Sequence, residues 1–499
     1  MQRRLESFRS LELVQFDNAD VHVLFSPQTL QLFRLSKLAA TVVQETRGGS
    51  PLSEVSMKYC LSESKLVDFL EGITAAVESA PRVSPRSKDH NGAAALGPVL
   101  GKLALMVNNY CNLKCTYCYE LDTVFKKKPI DMPQEVIRTT LDKFYCAFSA
   151  ILELMFIGGE PTLSDAVVEF ACRYSTQCAR ERGCSPPSFS MITNGAKMTE
   201  RMFEVIRQYE IQATFSIDGP KTVQDLVRIR HDNSGSYDAA AENIRRYALM
   251  FEDKLSIEAT LTRAHKDAHV SVSELLDFFA REFGVRTPHI AAAGLAEGDP
   301  LNPYSSTDSY LEREFEEATT KSVDNLFDEL RAGGRNGGRA TGVLDLVTEM
   351  LRSLVKQEST LAMCPAGTTQ LVVDALGDLY PCWMFAGKDQ FKMGNIMRDG
   401  IFSALSMRVL QRIRDNDKEH NPQCSVCCAR YVCHACIGNN QNMTGAIESI
   451  DERFCNTVRG SLKAILLKIA EARQDPTRWS EIRNGVNRSR ERQGKTCQC

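Results

Sequence analysis

Between residues 103 and 291 two hydrophobic patterns alternate. Short apolar runs at LALMV (103–107), LELMFI (152–157), PSFSMI (187–192), IQATFSI (211–217), LSIEATL (255–261) and VRTPHIA (285–291) read as strands. Between them lie segments with helical spacing, such as PQEVIRTTLDKFYCAF and DAVVEFACRYSTQCARER. Strands that alternate with helices pair in parallel through right-handed crossovers. Six such units predict an α/β fold, an open, partial (β/α)6 barrel over residues 101–306. Functional groups in such a barrel belong at the C-terminal ends of the strands.

The flanking regions follow other patterns. Residues 11–35 carry strand-like runs broken by DNAD and SPQ, and three helical stretches follow, KLAATVVQETR, LSEVSMKYC and ESKLVDFLEGITAA. In the last stretch Leu66, Phe69 and Leu70 recur at helical spacing, and Ser62 suits its N-cap. Residues 1–79 are thus expected to form a compact strand-plus-three-helix unit, winged-helix in style. Residues 80–100 are rich in Pro, Gly and charge and read as a linker. Residues 307–362 read as a helical bridge interrupted by RAGGRNGGRATG, and residues 363–473 as a cysteine-dense, loop-rich region closed by a helix. Residues 474–499 form a polar tail, expected to be poorly ordered, that ends in CQC.

Composition narrows the class. The 499 residues are 43% hydrophobic and 25% charged, enough for an ample core, and the net charge of -3 lacks the basic excess of a nucleic-acid partner. No run of about 18 apolar residues predicts a membrane span, and the first residues lack a signal-like apolar core. The expected location is the cytoplasm. Thiols there stay reduced, so 18 cysteines point to metal ligation rather than to disulfides.

The run CNLKCTYCYE (111–120) holds three cysteines on one loop, directly after the first barrel strand. A structural zinc site takes four closed ligands and a disulfide takes two. Three thiolates hold three corners of a [4Fe–4S] cube and leave its fourth iron open to a small molecule. Three buried thiols, or two zinc ligands and a spare, are the plainer readings of the same run.

Residues 103–295 resemble the radical S-adenosylmethionine (radical SAM) superfamily. The resemblance makes Cys111, Cys115 and Cys118 the cluster ligands, with the open iron chelating the amino and carboxylate groups of SAM. Tyr117 corresponds to an aromatic near the adenine. GGEP (158–161) closes the second strand, and in the family this segment contacts the SAM amino group. Gly158 and Gly159 would let the backbone approach a ligand closely, and Glu160 suits an ammonium. Asn194, in TNG at the third strand end, would bond a ribose or a carboxylate. The phrase SIDGPKTVQDLVRIRHDNSGSYD resembles peptide-modifying members, in which Ser216 would contact SAM and Arg228 would pair with its carboxylate. Asp218 reads either as a turn former before Gly219 or as a catalytic proton acceptor. In the family, one electron from the reduced cluster cleaves SAM to methionine and a 5′-deoxyadenosyl radical, which abstracts hydrogen from an unactivated C–H bond.

A second cysteine field follows: Cys364 and Cys382 in CPAGTTQLVVDALGDLYPC, then Cys424, Cys427, Cys433 and Cys436 in CSVCCARYVCHAC, then Cys455. Paired zinc knuckles separate their pairs by about 12–20 residues, whereas five residues separate Cys427 from Cys433. Together with GNI at 394–396, the array resembles the SPASM extension of radical SAM enzymes. That resemblance implies two auxiliary clusters and three [4Fe–4S] clusters in all. Cys424, Cys427, Cys433 and Cys455 would hold one, and Cys364, Cys382 and Cys436 the other. The last iron would be left to another residue or to a substrate thiolate. Cys428 is an extra thiol.

Residues 11–78, through LFRLSKLAATVVQETRGGSPLSEVSMKYCLSESKLVDFLEGI, resemble a RiPP recognition element, a domain that captures leader peptides. An exposed strand edge pairs with an extended peptide, and LQLFRL and the helix around Leu66–Leu70 are the candidates. A DNA-binding winged helix is disfavoured by the acidic ESKLVDFLEG, and a structural cap is the bland reading. Together these resemblances imply a peptide maturase that binds the leader of a ribosomally made precursor, fed by flavodoxin or ferredoxin. It would form a thioether from a cysteine sulfur to a carbon of another residue. The alternatives are C–C or C–O crosslinking, formylglycine formation of the sulfatase-maturase type, and an iron–sulfur scaffold or redox regulator without turnover.

Overall fold

The structure, a computed structural model, describes residues 2–83, 98–120, 128–251, 254–304, 309–331, 343–359 and 361–494. Most of the expected linker, the glycine-rich joint beyond Arg331 and the closing CQC lie outside the described residues.

After the helix Gln2–Ser10, β1 (Val14–Asp17), β2 (His22–Ser26) and β3 (Gln31–Leu35) form an antiparallel sheet in that order. The helices Lys37–Arg47, Leu52–Tyr59 and Glu63–Ser79 follow. Ser36 and Ser62 cap the first and third by accepting from Ala39 N and Lys65 N. Leu66, Leu70, Ile73 and Val77 bury their face with Phe8, Val43 and Val55. Leu66 and Leu70 therefore belong to the unit's own core and are not free to read a peptide.

Alternation along β2 ties this unit to the rest of the chain. Leu24 joins the N-terminal core, whereas Val23 and Phe25 point the other way, into the main core. The helix Glu452–Ala472 packs on that face of the sheet. Arg430 clamps the junction with a two-pronged contact to Glu12, at 2.5 and 2.6 Å.

Six strands follow in parallel, neighbour to neighbour: β4 (Val99–Met106), β5 (Ala150–Ile157), β6 (Ser188–Thr193), β7 (Gln212–Ser216), β8 (Ser256–Leu261) and β9 (His289–Ala292). In β8, Ile257, Ala259 and Leu261 are buried in the core beneath the helices, while Ser256, Glu258 and Thr260 occupy the other face. The sheet does not stop at six strands. β10 (Gln370–Val373) pairs in parallel with β4, and β11 (Asp378–Tyr380) and β12 (Gly394–Asn395) add antiparallel. The cysteine-dense region thus shares the barrel's sheet. Its QLVV run, all four residues buried, is a central strand.

The polar tail departs from expectation too. Pro476–Gly494 is helical, with Ile482 and Val486 buried in the main core. Trp479, Ile482 and Val486 share one helical face, a sparse stripe that the surrounding charge conceals.

Replacing Arg430 by Ala leaves Glu12 without its partner and is expected to cost about 2 kcal/mol. Hydrogen exchange should quicken in residues 14–35 and stay unchanged in β5 and β6. Equal protection of the N-terminal sheet in both proteins would contradict this account of the junction.

Candidate active site

The cysteine loop has no ladder of its own, so its backbone depends on partners from elsewhere in the chain. The segment after the helix Lys221–Val227 straps it. Lys114 N donates to Ile229 O at 2.8 Å and Thr116 N to Val227 O at 2.9 Å, and Leu113 bridges Arg230. His231 Nε2 lies 3.0 Å from the Cys111 carbonyl oxygen. Cys111, Cys115 and Cys118 are partly buried free thiols. Burial raises the pKa of each, that of Cys118 to about 12. Thiols held this way give up their protons to a metal cation.

The end of β5 braces the same loop. A Cβ on Gly158, at φ +146°, would lie 2.5 Å from Asn108 O, and one on Gly159 would lie 2.0 Å from Tyr110 O. The close approach that these glycines allow is thus to the cysteine loop's own root. Glu160 is buried, and its carboxylate accepts from Thr162 N and Oγ1, Thr193 Oγ1 and Asn194 N at 2.6–3.0 Å. Burial raises its pKa and these bonds oppose the rise. Glu160 therefore fastens β5 to β6. Asn194 Nδ2 in turn reaches Asn112 Oδ1 at 3.0 Å and Cys111 Sγ at 3.5 Å.

Asp218, at the end of β7, is fully buried and fully engaged. Its carboxylate accepts from Tyr117 OH at 2.6 Å and Thr260 N at 2.9 Å, and Arg228 Nε lies 2.9 Å away. Its amide donates to Gln224 Oε1, and its carbonyl meets His265 Nε2. A carboxylate so enclosed positions its neighbours, so the expected acid–base role does not fit. Burial works against the Arg228 cation, and the charge and hydrogen bond of Asp218, together with Tyr117 and Cys115, more than offset it. Tyr117 has its phenol pKa raised well above normal, first by burial. The Arg228 guanidinium stands 5.5 Å from the Tyr117 ring centre. Arg228 thus stands against the cysteine loop, with its Nε turned to Asp218.

Ser216 Oγ donates to Glu258 Oε1 at 2.6 Å, and His289 Nδ1 lies 2.6 Å from Asp345 Oδ2. Sequence reasoning missed Glu258, His289 and Asp345. The polar residues at alternate positions in LSIEATL and VRTPHIA carried the signal for the first two.

The second field forms two groups. Cys364, Cys382 and Cys436 lie within electrostatic reach of one another, as do Cys424, Cys427, Cys433 and Cys455. Buried Lys418 acts on both groups and donates to the Cys433 carbonyl. Cys428 hydrogen-bonds Cys427 and lowers its pKa. Among the described residues no three His, Cys, Asp or Glu converge as a single-ion site. A [4Fe–4S] cube takes one thiolate per iron, and groups of three or four partly buried free thiols supply that donor set.

Gly159→Ala would drive a methyl into the Tyr110 carbonyl and displace the loop. The reconstituted variant should hold about four fewer irons per chain, measured by iron analysis against wild type. Full iron content would show that the loop does not depend on this contact.

Residues 105–268 match the model of the Radical SAM superfamily, and residues 364–428 match that of SPASM, an iron–sulfur cluster-binding domain. The chain is 21% identical over 383 residues to a cysteine-type anaerobic sulfatase-maturating enzyme of Clostridium novyi, covering 74% of this chain and 96% of that one. It is 22% identical over 299 residues to the radical SAM cyclopropyl synthase TigE of Paramaledivibacter caminithermalis, covering 57% of this chain and 58% of that one. The solved structure of native anSMEcpe with bound AdoMet superposes with a TM-score of 0.57 at 18% identity, over 75% of this chain and 100% of that one, and shares the fold. Residues 105–268 are therefore a radical SAM domain and residues 364–428 a SPASM domain, and the chain is a radical SAM enzyme.

Proposed function

We propose that the chain modifies a ribosomally made precursor peptide and that the modification is a thioether from a cysteine sulfur to a carbon of another residue. The observation that carries this reading is the three-cysteine group Cys364, Cys382 and Cys436. Tyr119, beside Cys118, is within electrostatic reach of Cys382. This supports a three-thiol group within reach of the barrel's cysteine loop, whose fourth corner would be open to a substrate thiolate.

Cys111, Cys115 and Cys118 would hold the cluster that binds SAM, and the two groups of the second field would hold the auxiliary clusters. Bound there, the clusters supply the electron that cleaves SAM to methionine and a 5′-deoxyadenosyl radical, and accept the electron that the peptide gives up. Tyr117 and Arg228, both fixed by Asp218, orient the nucleoside and the carboxylate. Asn194 and Ser216 offer polar contacts from neighbouring strand ends. An acidic redox protein, flavodoxin or ferredoxin, would deliver electrons.

The N-terminal unit would hold the leader. β3 is an edge strand, and its unpaired side can extend the sheet onto a peptide. One carbonyl along β3, that of Leu32, already accepts from Arg473 Nη1 at 3.3 Å. This leaves the positions around Phe33 and Arg34 for the leader.

A second reading, oxidation of a cysteine to formylglycine, is supported by the similarity to a sulfatase-maturating enzyme along 96% of that relative. Mass spectrometry of a cysteine-containing precursor after anaerobic turnover separates the two. A thioether removes two hydrogens and leaves the cysteine resistant to alkylation, whereas formylglycine loses the sulfur and captures a hydrazide. Alkylatable cysteine after loss of two hydrogens would sink the thioether reading. Free leader at about a hundred times its dissociation constant should slow modification of a sub-saturating full precursor roughly a hundredfold, and no competition would sink the leader-binding role.

A further inference from the structure

Resting on the reading of a peptide substrate, we propose that His289, held by Asp345 and flanked by Glu258, accepts the proton that a peptide side chain loses as its new bond forms. Crosslinking removes a hydrogen atom, a proton and an electron from the peptide. The atom leaves on 5′-deoxyadenosine and the electron passes to an auxiliary iron–sulfur cluster, so the proton needs a base on the wall of the reaction space. Asp218 is enclosed and already bonded to Tyr117 and Thr260.

The strand register supplies the alternative. Ser216 of β7 pairs with Glu258 of β8, and Glu258 pairs with His289 of β9. In-register residues on parallel neighbours project to one face, with strands about 4.8 Å apart. The adjacent residues Ile257 and Ile290 are buried in the main core, which directs this polar row to the inner face. Glu258 also acts electrostatically on Tyr119, which in turn feels Cys118 and Cys382. The row therefore looks onto the space between the radical SAM loop and the second cysteine field.

The chemistry of the row fits a base. Asp345 opens the helix Asp345–Lys356, and its carboxylate lies 2.6 Å from His289 Nδ1, where it accepts a hydrogen bond from the ring. A carboxylate behind one ring nitrogen fixes the tautomer and leaves Nε2 as the acceptor. The His289 side chain is 53% exposed, open to a substrate. The Asp345 hydrogen bond raises its pKa, burial opposes this, and the Asp345 and Glu258 charges add to the rise. Asp345 also acts electrostatically on His434, as do Lys418 and Glu349. For a thioether the S–H bond breaks with its pair left on sulfur, and the proton goes to Nε2. A carbon loses a hydrogen atom to the 5′-deoxyadenosyl radical, the S–C bond closes, and the surplus electron goes to the auxiliary cluster.

The test compares wild type, His289→Ala and Asp345→Asn, each loaded to equal iron content, for modified peptide formed per 5′-deoxyadenosine across pH. His289→Ala should lower that ratio about a hundredfold, with partial rescue by added imidazole. Because neutral imidazole is the active form, the ratio should rise with pH through the His289 pKa. Asp345→Asn removes the charge that raises this pKa, so the acid limb should move to lower pH. A wild-type ratio in His289→Ala at every pH, or an unmoved limb in Asp345→Asn, would overturn the assignment alone. Wild-type protein that cleaves SAM yet modifies no precursor would sink the peptide reading and this inference with it.

Discussion

An open iron needs three thiolates, not four, presented from one side by a loop. Such a loop cannot be a helix or a strand, so its buried amides and carbonyls must find partners elsewhere. In this chain the partners come from a segment that follows a helix and from one other strand end. The Val227–His231 segment supplies acceptors for Lys114 and Thr116, and the GGE turn supplies a surface without side chains against Asn108 and Tyr110. The strand-end motifs are thus coupled to the cysteines through the backbone before any ligand is considered.

The same economy governs charge. Thiolates in a low-dielectric interior are costly unless cations stand near. Each cysteine group has one. Arg228 opposes the burial-driven rise at Cys115, Lys418 acts on Cys364 and on the Cys424–Cys433 group, and Arg459 opposes the rise at Cys455 and adds to the lowering of Cys427 that Cys428 leads. Asp218 holds Arg228 at its post, which explains a carboxylate so thoroughly enclosed. Acid–base chemistry must then use residues whose partners leave one face open, as in the His289–Asp345 pair.

What was legible in the chain was local. The six parallel strands announce themselves by apolar runs, and the cysteines by their spacing. What stayed hidden depends on distant partners. QLVV reads as a short run inside a cysteine loop, and only β4 makes it a central strand. Gly158 and Gly159 read as ligand-approach glycines, because the Asn108 and Tyr110 carbonyls against them lie some fifty residues earlier in the chain. Asp218 could not be told from a proton acceptor until Tyr117, Thr260 and Arg228 were seen around it. Leu66 and Leu70 look like a presenting face until Phe8 covers them.

The N-terminal unit has a small core of its own, yet β2 alternates its side chains between that core and the main one. A unit attached through a shared hydrophobic face and a two-pronged Arg430–Glu12 contact cannot swing on a linker without exposing Val23 and Phe25. On the proposed reading, the leader-binding edge is therefore held at a fixed separation from the cysteine loop. Which residue of a precursor enters the barrel is then set by how many residues span that separation, about 3.3–3.6 Å each when extended. A ruler of this kind selects by position along the peptide, which leaves the polar row at Ser216, Glu258 and His289 free to serve chemistry rather than recognition.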